Sequence, residues 1–189
     1  MPHLAPGLGK TRKMTTMSPS LERSPGAARQ AVALLLFIAI AFGVSALGSI
    51  ATFQNVDGWY ADANKALWNP PNIVFGPVWT VLYTLMAVAA WLVWREPFSA
   101  ARRRALRVYI AQLVLNAIWT PAFFGLYPAI GVAALWGALV IILALDVMVL
   151  ITMLRFWPVR RLAAVLLIPY WAWVLYATTL NAALAVLNP

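Results

Sequence analysis

A chain of 189 residues that is 63% hydrophobic and 10% charged, with several apolar runs of twenty or more, is not an ordinary soluble domain. The absence of cysteine and a single histidine, His3, remove disulfides, thiolate metal sites and cysteine nucleophiles, and leave no candidate metal site. The net charge of +9 raises nucleic-acid binding only to dismiss it, because the basic residues lie between apolar runs, where they orient membrane spans rather than read phosphates.

Residues 1–30 are rich in Pro, Gly, Ser, Thr and basic residues and show no hydrophobic period. They are expected to form a disordered basic tail ahead of a transmembrane domain over residues 31–189. Arg29, the apolar run after it and Val44-Ser45-Ala46 imitate a signal peptide with its cleavage site. The run continues to Phe53, however, which makes it a full span. Within it Ala41, Ser45 and Ser49 recur at i, i+4 and i+8, with Gly48 and Thr52 beside them. Small residues at that spacing let helices approach closely in lipid, so the stripe reads as a packing face, with a deliberately small pocket wall as the alternative.

The stretch Trp59 to Trp94 joins a polar, Trp-bearing loop to an apolar helix. Pro70 and Pro71 disfavour helix before them, and Asn72 is placed to cap the apolar helix. Phe75, Trp79, Tyr83 and Met86 then share one helical face, so the loop should hang Trp59, Tyr60 and Trp68 over its mouth. The third apolar run carries Gln112, Asn116 and Trp119 at i, i+4 and i+7, and buried amides must look inward for partners. Pro121 should bend that helix near its end. The fourth run contains Asp146, the only acid well inside a span, expected to be protonated or hydrogen-bonded to hydroxyls or amides. In the fifth, Pro169 should kink the helix, while Tyr170, Trp173, Ala177, Asn181 and Leu184 share a face and Trp173 lies too deep for an interface belt.

The expected fold is therefore an all-α membrane protein, a bundle of five transmembrane helices over approximately residues 31–53, 73–94, 105–124, 129–154 and 162–187. Each run can cross a core of ~30 Å at ~1.5 Å per residue, and none shows the alternation of a barrel strand. Thirteen of the fourteen Lys and Arg residues lie in the tail and in the second and fourth connections; only Lys65 lies on the other side. The positive-inside rule then sets the N-terminus cytoplasmic and the Trp59–Asn72 loop and C-terminus outside, in a multi-pass protein of the cell membrane. Together the stripes suggest a pocket lined by Tyr60, Trp79, Tyr83, Asn116, Trp119, Trp173 and Ala177 under a lid that includes Trp59 and Trp68, suited to a large planar apolar ligand.

The motif WY…K…WNPP…FGPVWTVLY, with QLVLNAIWTPAFFG and IPYWAWVLYATTLN downstream, resembles the TspO/MBR family, the tryptophan-rich sensory proteins related to the translocator protein. The resemblance covers roughly residue 31 to the C-terminus. One departure is visible, since Lys65 is followed by Ala66 where the family commonly has proline. The resemblance implies porphyrins, such as protoporphyrin IX or haem, as ligands rather than required cofactors, with sterols also bound by the family, and it implies a homodimer. It carries the family's pocket aromatics onto Tyr60, Trp79 and Trp173 and its small last-helix residue onto Ala177. Three functions stand under it: a tetrapyrrole-binding carrier, a regulatory or stress-sensing scaffold, and light- or oxygen-dependent porphyrin breakdown with Trp79 and Trp173 as the candidate catalytic residues. No Lys or Arg follows Arg161, so the sterol motif that vertebrate members carry after the last helix is not expected here.

Overall fold

The computed structural model describes residues 26–189. Five helices are long and apolar enough to cross a membrane, and the described residues contain no strand. The first is α1, Ala27–Phe53, which starts before the expected Ala31; the rest of the expected tail, residues 1–25, lies outside the described residues. A connection holding the single-turn α2, Trp59–Asp62, leads to α3, Asn72–Trp94. Pro71 rather than Asn72 is the residue before the first turn of α3, and no side chain caps that end. Asn72 is already helical, so its amide is free to face the bundle.

Ser99 opens α4, Ala100–Thr120, by accepting a hydrogen bond from the Arg102 amide at 3.1 Å. Pro121 has no N–H for the Ala117 carbonyl, and the helix answers with a π-helical turn, Pro121–Gly125, at the position where a bend was expected. A short α5, Tyr127–Ile130, ends at Gly131, whose φ of 61° is the only positive one among the described residues. That left-handed step, which glycine adopts without penalty, turns the chain into α6, Val132–Phe156. The last span is broken in two, α7 (Arg161–Leu166) and α8 (Ile168–Leu187), because Pro169 cannot donate to the Val165 carbonyl.

The two ends of the bundle are packed differently. At the end where α3 finishes and α4 starts, Ala87, Ala89, Ala90 and Val93 of α3 are fully buried, as are Ala105 of α4 and Ala163 of α7. Small side chains let these backbones approach, and van der Waals contact is what holds helices together in lipid. At the opposite end α3, α4 with its π turn and α8 carry Trp79, Trp119, Phe123 and Trp173, and α3 makes far less contact with α8 than with α7. Bulky rings hold the helices apart there. Outside the bundle, Val32, Leu36, Ile40 and Leu47 of α1 are more than half exposed, the surface that a bilayer covers.

Candidate functional site

The space between the splayed ends is a cavity of about 510 Å³ bounded by α1, α3, α4 with its π turn, and α8. Trp79 and Tyr83 line it from α3, Trp119 and Phe123 from the α4 side, and Trp173 and Ala177 from α8. Neighbouring rings support one another: Trp79 lies 5.4 Å from Tyr83 and 6.5 Å from Trp119, and Phe75 meets Trp173 edge-on at 5.9 Å. α1 contributes a wall of Ser45, Gly48, Ser49 and Thr52, so the small-residue stripe lines the cavity as well as packing. A Cβ on Gly48 would sit 3.2 Å from Thr120 Oγ1, which shows how closely α1 crosses α4 at the rim. The hydroxyls of Ser49 and Thr52 donate to carbonyls one turn back on their own helix, leaving their lone pairs toward the cavity as acceptors.

Behind the rings runs a chain of buried hydrogen bonds. Tyr83 Oη donates to Asn116 Oδ1 at 2.6 Å, Asn116 Nδ2 donates to Tyr170 Oη at 3.1 Å, and Tyr170 Oη donates to Gln112 Oε1 at 3.1 Å. Trp119 Nε1 donates to Asn181 Oδ1 at 3.2 Å, and Asn181 Nδ2 donates to the Leu135 carbonyl at 2.9 Å. These amides fix the orientation of Tyr83 and Trp119 as cavity walls. Trp173 is the exception: its Nε1–H is buried and finds no acceptor in the protein, although the ring lines the cavity.

The structure brings Tyr60, Trp79, Tyr83, Trp119, Trp173 and Ala177 to one cavity and leaves Trp59, Trp68 and Asn116 off its wall. Asn116 is one layer back, spent on the two tyrosines. Trp59 stacks on Tyr127 at 3.9 Å and donates Nε1 to the Phe124 carbonyl at 3.0 Å, pinning α2 to the π turn. Trp68 is exposed and donates to Thr179 Oγ1 at 3.2 Å, while Tyr176 Oη donates to the Trp68 carbonyl at 2.6 Å. Both tryptophans fasten the connection over the cavity instead of touching its contents. Asn188 adds a clasp, accepting from the Asn64 amide at 2.8 Å and donating to the Asn64 carbonyl at 3.0 Å. Tyr60, buried under this connection, donates its hydroxyl to Asn69 Oδ1. Burial pushes its phenol above the ordinary range, the Asn69 bond pulls the other way, and the hydroxyl stays neutral at physiological pH. Lys65 donates to the Ala61 and Ala63 carbonyls and lies 5.0 Å from the Tyr60 ring, so this turn is tied down without the family's proline.

Met86, expected on the cavity face, is fully buried a turn deeper, against Gln112. Asn181, which spacing places on the face of Trp173 and Ala177, also lines the cavity, as do Phe123 and Phe124, which helical spacing alone does not mark as its residues. Asp146 lies on the seam between α6 and α8, away from the cavity. Its Oδ2 is 2.7 Å from Thr178 Oγ1, which is also 3.0 Å from the Val174 carbonyl. One hydroxyl carries one proton, so Thr178 can serve only one of these acceptors; an acid that supplies its own proton satisfies both contacts. Among the described residues no group of His, Cys, Asp and Glu could hold a metal ion.

A comparison with protein-family models matches residues 35–187 to TspO/MBR. The chain belongs to the TspO/MBR family. Its TspO/MBR relatives include the tryptophan-rich protein TspO of Archaeoglobus fulgidus, 37% identical over 82% of this chain and 94% of the relative. The translocator protein of Homo sapiens is 40% identical over 65% of this chain and 70% of its own length. The tryptophan-rich sensory protein of Cereibacter sphaeroides is 36% identical over 77% and 87%. The chain is accordingly a TspO/MBR membrane protein with five spans.

Proposed function

We propose that the cavity binds a large, flat, largely apolar molecule of the porphyrin class, and that the protein carries or regulates such tetrapyrroles within the membrane. The observation that carries this reading is the pairing of aromatic walls on different helices with a buried indole N–H of Trp173 that has no protein acceptor. Flat π-faces grip a planar ring system from its sides, and an unmet donor in an apolar wall favours a ligand that brings an acceptor to it. The volume lies within the range of about 300–1,000 Å³ for small-molecule sites. A relative named translocator protein favours carriage over simple storage. With the arginine-bearing ends of the helices in the cytoplasm, as the charge bias argues, the cavity serves the opposite leaflet.

The test is titration of the purified protein with protoporphyrin IX in the dark, followed by illumination in air. Saturable binding with spectral perturbation of the porphyrin supports the reading, and its absence overturns it. Loss of the porphyrin with formation of product on illumination would add breakdown chemistry at Trp79 and Trp173. Binding without product leaves a carrier or sensor.

A further inference from the structure

At the end of the bundle remote from the cavity, every Lys or Arg among the described residues is an arginine, and the only acid is Glu96. The Glu96 carboxylate is engaged 3.6 Å from Arg160, the only ion pair among the described residues. Five others, Arg29, Arg95, Arg102, Arg103 and Arg161, lie over aromatic rings. Arg29 at the start of α1 and Arg102 at the start of α4 lie over the same indole, Trp94, at 5.9 and 5.7 Å from its centroid. Arg102 also lies 5.8 Å from the Phe98 ring, which Arg103 approaches at 5.6 Å. Trp91 Nε1 donates to the Gln30 carbonyl at 3.1 Å, fixing the first turn of α1 against the last turn of α3. Three guanidiniums from two spans thus converge on two neighbouring rings, and none of them forms an ion pair among the described residues.

Left alone, the arrangement is unfavourable twice over: like charges are gathered together, and Arg102 and Arg103 occupy the first turn of α4, where the helix dipole repels cations. An anion among them removes both penalties. A guanidinium whose flat face rests on a ring still offers the N–H donors on its edge, and that fork matches the oxygens of a phosphate; Arg102 spends one Nη1 donor on the Glu96 carbonyl at 2.9 Å and keeps the others. The surroundings select the source of the phosphate. Arg29, Val32, Leu36 and Ile40 fall on one face of α1 at i, i+3, i+7 and i+11, and the three apolar residues are more than half exposed. Phe98, under Arg102 and Arg103, is 70% exposed. A head group on the arginines would lay its acyl chain along that stripe, which a free phosphate or an acidic peptide would leave uncovered. We infer that Arg29, Arg102 and Arg103, mounted on Trp94 and Phe98, form a binding site for the phosphodiester head group of an acidic phospholipid.

The full-length protein, reconstituted in nanodiscs of equal phosphatidylglycerol and phosphatidylcholine, would be released in a native mass spectrometer and its retained lipids counted. Phosphatidylglycerol should be enriched over phosphatidylcholine by roughly fivefold for each arginine that contacts it. The double variant Arg29→Gln/Arg102→Gln should lose most of that enrichment, falling to the roughly fivefold that Arg103 alone supplies. Arg155→Gln/Arg161→Gln removes the same charge from either side of the α6–α7 connection at the same end and should keep the enrichment. No enrichment in the wild type, or equal loss in both double variants, overturns the site in favour of bulk charge. If the glutamine pair fails to fold, Arg29→Lys/Arg102→Lys keeps the charge without the fork and should lose at least half of the enrichment; undiminished enrichment overturns the proposal.

Discussion

Trp173→Phe separates a ligand-facing indole from a packing one, because the two roles give effects of opposite sign. In the unliganded protein the buried Nε1–H has no acceptor, an arrangement that costs ~1–3 kcal/mol. Phenylalanine removes that donor and keeps a ring against Phe75 at 5.9 Å and Tyr176 at 5.5 Å. The smaller ring gives up about 1 kcal/mol of contact at this half-buried position. Unliganded stability should therefore stay the same or rise by up to ~2 kcal/mol, the difference between these two amounts. Binding moves the other way, losing ~1 kcal/mol for the hydrogen bond and ~0.5–1.5 kcal/mol of π contact, a weakening of roughly ten- to seventyfold. Trp79→Phe supplies the comparison, since its ring partners Tyr83, Trp119 and Tyr170 are not those of Trp173. Without ligand the two substitutions should be additive; with ligand they should couple by ~0.5–3 kcal/mol. Thermal unfolding in detergent reads the first quantity, and absorbance titration with protoporphyrin IX reads the second. A Trp173→Phe protein that is destabilised by more than ~2 kcal/mol and binds like the wild type would refute the reasoning and make Trp173 a packing residue.

Asp146→Asn should leave thermal stability and porphyrin binding within about 1 kcal/mol of wild type, because an amide can donate to Thr178 Oγ1 while Thr178 donates to Val174; collapse of binding at normal expression would bring Asp146 into the site. Asn188→Ala removes both bonds to Asn64, so porphyrin dissociation followed by stopped-flow should quicken by at least about fivefold, at ~0.5 kcal/mol or more for each exposed bond. An unchanged rate would mean that the connection does not gate the cavity. Gly48→Val forces the rim of α1 away from Thr120, met by a Cβ at 3.2 Å, and should cost ~1–3 kcal/mol in stability, measured by thermal unfolding, and weaken binding as well. A cysteine at Asn64 should react with a membrane-impermeant reagent in intact cells, and labelling only after lysis would reverse the orientation drawn from the charges.

The spans were legible because hydrophobic length alone reports them, and the two irregular places in helices were legible because Pro121 and Pro169 cannot donate a hydrogen bond. The face shared by Trp79 and Tyr83 followed from spacing within one helix. Harder to read was depth: Met86 continues the periodicity of that face but falls where alanines close the bundle, and no one-dimensional pattern marks where the cavity stops. Asn116 has the chemistry of a ligand contact and the position of a support, and its partners Tyr83 and Tyr170 lie 33 and 54 residues away in sequence. Trp59 and Trp68 do lie near the cavity, as their place in the loop implied, but their roles depend on which nearby acceptor each indole meets, the Phe124 carbonyl and Thr179. In α1 the small-residue stripe was visible and its double use was not, since a residue that lets one helix approach also leaves room beside another.

The alanine-packed half of the bundle gives the molecule a floor. No residue of α3 beyond Tyr83 and none of α4 before Trp119 lines the cavity, so its bottom is sealed by backbones already in contact through Ala87, Ala90 and Ala163. A molecule taken up here has no axial route to the other face, and opening one would mean prising apart the most tightly closed part of the protein. Loading and unloading therefore share a single doorway, at the connection held by Asn64 and Asn188 or sideways between the splayed helices. If the cavity holds a porphyrin as proposed, such a vessel would work as a dock that exchanges cargo at one end of the bundle, and net movement across the bilayer would have to be set by the partners that fill and empty it.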